Sequence, residues 1–290
     1  MNFRKILDFS NLKTKIISIL YGIVCHVTFV ISGLCMFWVL YNGFTVSLGS
    51  VSYPLSIITN ILLLLQFPIL HSFLLTNSGR QFLRFFAPRN YAKTLETTIY
   101  ATIASIQLLL LFLLWTPSKI IIYDLKYPFN ILNFLFFILG WVLLAISSLQ
   151  AGYKVQTGSL GWISMFLSEK PKFPPMPTNG LFKLIRQPIY FSFCIVLWTS
   201  PTMTVDLFFL ALFYSLYCYF SPLLKEKRFT KLYGEAFLNY KKNTPYFFPA
   251  QFSNFITKKI TSIRILILKI YKNNSLILFL MDKKINSYNK

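Results

Sequence analysis

Acid is scarce in this sequence. The 290 residues hold 8 Asp+Glu against 29 Lys+Arg, a formal net charge of +21. Histidine occurs only as His26 and His71, on separate apolar segments with no third ligand in sight, so no metal site is expected. None of the four cysteines (Cys25, Cys35, Cys194, Cys218) has C-x-x-C spacing, and all lie in apolar stretches. They are expected to pack rather than to bridge or to bind metal. There is no G-x-S-x-G, no P-loop and no H-E-x-x-H, and Gly152, Gly158 and Gly161 lack the spacing of a dinucleotide fingerprint. Charged residues make up 13% of the chain, where a soluble domain carries about 25%. That argues against an ordinary cytosolic enzyme. An apolar content of 55% excludes disorder.

What the sequence does contain is long runs without charge. They cover residues 16–41, 55–76, 97–118, 128–153, 187–205 and 207–224. About 20 apolar residues cross a bilayer as a helix. The last two runs are parted by Ser200-Pro201-Thr202-Met203-Thr204 and Asp206, which favour a turn over a continuous helix. One long kinked helix is the rival reading, and it would put Asp206 at membrane depth. The expected architecture is an all-α polytopic membrane bundle of about six helices, the fifth and sixth forming a hairpin.

The cations then orient it. With six crossings, all but two of the 29 fall on one side, and only Lys119 and Lys126 lie on the other. Basic loops stay inside, so both termini are expected in the cytoplasm. The first apolar run is about twice as long as a signal-peptide core and no A-x-A-like site follows it, so an uncleaved segment is expected. The lipid bilayer is the expected partner. A positive-inside membrane protein already accounts for the basicity, so nucleic acid is not expected to bind. The sequence leaves oligomeric state open.

Residues 154–186 form the longest connection, rich in Gly and Pro but carrying Trp162, Met165, Phe166, Phe173 and Met176. An ordered segment on the membrane surface is expected. Residues 255–272 alternate Ile/Leu with Lys/Arg, so residues 251–290 read as a basic tail on anionic lipid, separate from a membrane domain over 1–250.

Polar residues near helix ends converge on the cation-rich side. His71 closes the second run, Glu96 opens the third, Arg186, Gln187 and Tyr190 open the fifth, and Glu226 follows the sixth. Headgroup contact explains tyrosines such as Tyr41, Tyr123 and Tyr127. It explains two of only eight acids less well. His26, deeper in the first run, is expected to be a buried hydrogen-bonding residue.

The segment Arg186-Gln187-Pro188-Ile189-Tyr190, the preceding Gly180, the later Lys225-Glu226, and Gly234 through Tyr240 to Pro245 and Pro249 resemble a known C-terminal block, here spanning 180–250. It belongs to the membrane methyltransferases grouped with isoprenylcysteine carboxyl methyltransferase and phospholipid methyltransferases. His71-Ser72, Glu96 with Tyr100, Trp115-Thr116-Pro117 and Gly140-Trp141 resemble the NnrU-like branch, which includes methanethiol S-methyltransferase-like proteins. The resemblance covers roughly residues 15–250. Two positions depart from it: Gln187 stands where the family has His, and Lys225 where it has the first Glu of a pair. Gln can still donate and accept hydrogen bonds but cannot titrate.

The resemblance implies S-adenosylmethionine as methyl donor, bound by Gln187, Pro188, Tyr190, Glu226 and Tyr240, with Arg186 as a catalytic residue; His71 is the other catalytic candidate, on its placement alone. A carboxylate suits the donor's ammonium, an arginine its carboxylate, and aromatic faces its sulfonium and adenine. If the acceptor is a thiol, His71 is placed to take its proton. The expected acceptor is a small thiol or a lipophilic molecule entering from lipid, and a bacterial inner membrane is the expected location. A non-catalytic NnrU-like protein on the same scaffold is the alternative. A transporter is disfavoured by the lack of charges within the apolar runs and of any internal repeat.

Overall fold

Each charge-free stretch folds as a helix in the computed structural model of the chain, which describes residues 12–249. The basic tail expected over 251–290 lies outside the described residues. The elements are α1 (Leu12–Tyr41), α2 (Leu55–Leu74), α3 (Asn77–Phe85), α4 (Glu96–Leu114), β1 (Ile121–Asp124), α5 (Phe129–Gln150), α6 (Tyr153–Gln156), α7 (Ser159–Phe166), α8 (Leu181–Leu184), α9 (Pro188–Trp198), β2 (Thr202–Thr204), α10 (Val205–Tyr233) and α11 (Glu235–Asn243).

Five of these, α1, α2, α4, α5 and α10, are long and apolar enough to cross a membrane. The chain is a multi-pass integral membrane protein. The fifth expected crossing is α9, whose 11 residues rise about 16 Å, roughly half the hydrocarbon thickness. Apolar side chains cover the outside of the bundle: Leu34 is 66% exposed, Leu62 61% and Leu149 61%. Such a surface suits lipid, whereas soluble monomers rarely expose large apolar patches.

The expected hairpin is present, with more structure at its turn than the sequence suggested. After α9 the chain becomes extended, and β2 pairs antiparallel with β1 in the register Ile121↔Thr204, Tyr123↔Met203 and Asp124↔Thr202. Thr204 then caps α10, its hydroxyl accepting from the Leu207 N–H at 3.2 Å while donating to the Gly43 carbonyl. Asp206 therefore sits in the first turn of α10, at the end of the bundle. Its carboxylate accepts from Trp115 Nε1 at 3.0 Å and from the Ser118 backbone N–H at 2.8 Å. An acid at a helix N-terminus also meets the positive end of the helix dipole.

Two apolar cores flank the middle of the bundle. One gathers Leu40, Phe44, Phe112, Trp115, Phe137, Leu197 and Leu207 at the end where β1 and β2 pair. The other gathers Leu74, Leu83, Leu95, Ile99 and Met165 at the cation-rich end. The long connection after α5 contributes to the second core. It does not merely lie on the surface: α7 tucks against α1 and α4, and Gly161 brings its backbone so close to Thr94 and Thr98 that a Cβ would lie 2.7 Å from the Thr94 carbonyl. Trp162 Nε1 donates to His26 Nε2 at 3.1 Å, the structural role expected of that histidine.

Between the cores, α2 and α4 are joined by a paired amide. Gln66 Nε2 donates to the Gln107 carbonyl, and Gln107 Nε2 donates to both oxygens of Gln66, all at 2.9 Å. Interhelical hydrogen bonds of this kind are worth about 0.6 kcal/mol on average in membranes. A double-mutant cycle with Gln66→Leu and Gln107→Leu, read by thermal unfolding in detergent, should give a coupling of about 0.5–1.5 kcal/mol. Strict additivity would show that the amides do not act together.

Candidate active site

Pro188 sits at the first position of α9, where its missing N–H costs nothing, and so fixes the helix start directly after Arg186 and Gln187. Gly180 precedes this turn, and the α5 residue Gln150 accepts from the Leu181 N–H at 2.8 Å, which holds α8 in place. Gly234 takes a φ of +53°, a left-handed conformation that favours glycine, and there α10 gives way to α11. These local choices bring three distant pieces of chain together.

Arg186 and Glu226 form the centre of that meeting. Arg186 Nε donates to Glu226 Oε1 at 2.8 Å and Nη2 to Oε2 at 3.4 Å. The side chains are 9% and 4% exposed, so this is a buried ion pair. Gln187 Nε2 donates to Glu226 Oε1 at 3.0 Å, and Lys241 Nζ lies 3.5 Å from Oε2. Arg186 Nη1 also donates to the Lys241 and Thr244 carbonyls, at 3.0 and 2.5 Å. Its guanidinium lies over the Tyr246 ring at 5.3 Å. The two charges that sequence reasoning matched to the ammonium and carboxylate of a cofactor thus satisfy each other in this structure. One acceptor in the cluster is left over: Gln187 Oε1 is buried and has no hydrogen-bond partner.

Tyr240 belongs to the same corner. Its hydroxyl donates to the Phe182 carbonyl at 2.5 Å, tying α11 to α8. Burial pushes its phenol up to about 12, against the opposing pull of Arg186. It therefore stays a protonated donor at neutral pH. Tyr190, one turn into α9, lies under a cation: Lys225 Nζ is 5.3 Å from its ring centre and 5.9 Å from that of Phe229.

His71 is not part of this cluster. It stands at the end of α2, stacked on Phe67 with ring centroids 4.7 Å apart. Its Nε2 lies 2.6 Å from the Tyr100 hydroxyl of α4, while Nδ1 is buried with no partner. One residue on, Ser72 Oγ is 3.4 Å from the Tyr217 hydroxyl of α10. Glu96, expected in the same layer, instead pairs with Arg84 at 2.5 Å and holds α3 to α4.

Elsewhere, a cavity of about 240 Å³ opens at the far end among Tyr41, Asp124, Asn130 and Thr202. It contains none of the expected site residues. No group of three or more His, Cys, Asp or Glu able to hold a metal occurs among the described residues.

No family model matches the chain, and no solved structure matches it. Curated relatives do match. The methanethiol S-methyltransferase of Crocosphaera subtropica is 29% identical over 248 residues, covering 83% of this chain and 93% of the relative. Methanethiol S-methyltransferase 1 of Bradyrhizobium diazoefficiens is 28% identical over 245 residues, covering 81% and 83%. The methanethiol S-methyltransferase of Pseudomonas deceptionensis is 27% identical over 201 residues, covering 69% and 75%. The chain is thus similar over most of its length to proteins named methanethiol S-methyltransferase. A match covering 83% of 290 residues must contain everything from His71 to Tyr240, so the likeness takes in His71, Tyr100, Arg186, Gln187, Tyr190 and Glu226.

The residues that sequence reasoning missed are contact partners. Lys241 and Tyr246 complete the Arg186 cluster, and Phe67 and Tyr217 complete the His71 group. Phe67 was within reach, since it lies four residues before His71 on one helix face. Nothing local pointed to Tyr246.

Proposed function

We propose that this chain is an integral-membrane, S-adenosylmethionine-dependent methyltransferase whose acceptor is a small thiol. The observation that carries the reading is the named likeness that takes in His71, Tyr100, Arg186, Gln187, Tyr190 and Glu226. The proposed location is a bacterial cytoplasmic membrane with the cation-rich end inside, which suits a soluble donor arriving from the cytoplasm.

The residues present fit such a donor, which when bound supplies an electrophilic methyl on a sulfonium. Tyr190 and Phe229 already hold a cation over their faces. Gln187 Oε1 is a buried acceptor free to take an N–H from the ligand. Arg186 and Glu226, committed to each other, fix the turn that presents Gln187, Pro188 and Tyr190, while Tyr240 braces α11 behind them. Exclusion of water favours such a transfer, and orientation supplies much of the acceleration.

Calorimetry with S-adenosylmethionine on the purified protein in detergent should show saturable binding, weakened by Tyr190→Ala. No saturable binding by the intact protein would refute the reading and leave the non-catalytic NnrU-like scaffold, which the self-satisfied Arg186–Glu226 pair favours. Lys225 gives a sharper test. If its ammonium stands where the donor's sulfonium must go, Lys225→Ala should tighten binding by about fivefold, the size of one cation–π contact. Weaker binding would show instead that Lys225 helps to hold the donor.

A further inference from the structure

The His71 group contains more than a placed imidazole. A neutral imidazole has one donor nitrogen and one acceptor. Here Nε2 has a partner, the Tyr100 hydroxyl at 2.6 Å, while Nδ1 is buried and has none. The contact can be made in two ways: the Tyr100 hydroxyl donates to Nε2 and leaves an N–H at Nδ1, or Nε2–H donates to the Tyr100 oxygen and leaves a lone pair at Nδ1. The ring cannot easily turn to exchange its two nitrogens. Phe67 stacks on it at an interplanar angle of 27°, and Tyr100 packs on it with ring centroids 5.0 Å apart. The structure thus holds the ring in one orientation, with Nδ1 buried and unpartnered, and only the second arrangement makes that nitrogen a base.

We infer that Nε2 carries the proton and donates it to the Tyr100 oxygen, that His71 Nδ1 accepts the proton of the acceptor thiol, and that Tyr100 is the positioning residue that selects this tautomer and stays bonded to Nε2–H as the imidazolium forms. This rests on the thiol methyltransferase reading above. The step balances. The S–H proton passes to Nδ1, and the resulting thiolate lone pair forms the new S–CH₃ bond. The electron pair of the broken sulfonium–methyl bond stays on the donor sulfur, which becomes a neutral thioether. His71 then releases its proton to solvent as the products leave. A base is needed because an ordinary alkyl thiol is mostly protonated at neutral pH, and the thiolate is the nucleophile. An acidic thiol arrives ionised and does not need one.

That difference supplies the test, using methyl transfer by the full-length protein in membranes with two small acceptors, ethanethiol and the more acidic trifluoroethanethiol. His71→Gln should lower kcat for ethanethiol by about 100-fold, the ordinary size of general-base catalysis. Its loss for trifluoroethanethiol should be under about threefold, since the base has nothing to remove. Tyr100→Phe keeps the ring and removes the hydroxyl. It should cost about tenfold for ethanethiol, the size of one hydrogen bond, with KM for the methyl donor unchanged. Equal losses for both thiols in both variants would overturn the inference and leave a packing role. A second readout needs no turnover. The chain has only two histidines, so a His26→Gln variant labelled with ¹⁵N-histidine reports His71 alone. A protonated Nε2 and a bare Nδ1 are expected, changing to mixed tautomers in Tyr100→Phe. A protonated Nδ1 would overturn the inference even if the protein binds S-adenosylmethionine. Absence of that binding in the unaltered protein would instead fail the functional reading.

Discussion

Glu226→Gln should be one of the two most destabilising single changes in this protein's polar clusters. The side chain is 4% exposed and accepts from Arg186, Gln187 and, more distantly, Lys241. Gln keeps the shape and one acceptor but removes the charge, and Arg186, 9% exposed, is left without its counter-ion. Removing one member of a buried pair costs about 3–5 kcal/mol, because the remaining charge stays desolvated. For a chain of this size that is a fall of about 10 °C in the unfolding midpoint. Cofactor affinity should fall with it, since Glu226, in the C-terminal part of α10, ties that helix to the start of α9 and to α11. The double variant Arg186→Met/Glu226→Gln separates the causes. It removes the charge pair whole and should regain most of the lost stability. It should not regain affinity, because the Gln187 turn has lost its anchor. A midpoint within about 1 °C of the parent in Glu226→Gln would show that the pair contributes nothing measurable, as many exposed pairs do.

The sequence made the membrane helices and the hairpin legible because both are written in local chemistry. A charge-free run of about 20 residues and a proline beside Ser and Thr act within one segment. What it hid was pairing across segments. Arg186 meets Glu226 from 40 positions away, and His71 meets Tyr100 from 29. No helical spacing rule reaches that far, so the residues were named for the right face but given separate partners. The β1–β2 ribbon was hidden for another reason. Strands of four and three residues are too short to show alternation, and β1 reads as the apolar edge of a loop. Lys225 was visible as a departure from the family pattern. Its position over Tyr190 depends on which face of α10 meets α9, and an apolar helix surrounded by lipid gives a weak indication of that face.

Asp206 makes the second large effect, at the opposite end of the bundle. Its carboxylate accepts from Trp115 Nε1 and from both the backbone N–H and the hydroxyl of Ser118, the last at 2.5 Å. Trp115 is 5% exposed and Asp206 8%, so little water replaces a lost partner. Asp206→Ala strands the indole and backbone donors, and hydrogen bonds to a charged group contribute about 1.5–3 kcal/mol each. The expected loss is about 3–5 kcal/mol, with the C-terminus of α4 freed from the start of α10. Asp206→Asn should fall between, because its one carbonyl oxygen can serve Trp115 or Ser118 while its NH₂ confronts the other N–H. The order of midpoints in detergent should therefore be Asp, Asn, Ala, with a shift in tryptophan emission accompanying the Ala variant. Asn and Ala variants as stable as the parent would show that the carboxylate is dispensable. Donor affinity in the fraction that remains folded should not change, since Asp206 touches none of the Arg186, Tyr190 or His71 groups. Loss of stability with affinity intact at Asp206, against loss of both at Glu226, is the pattern expected of a bundle whose polar clusters at the two ends do different work.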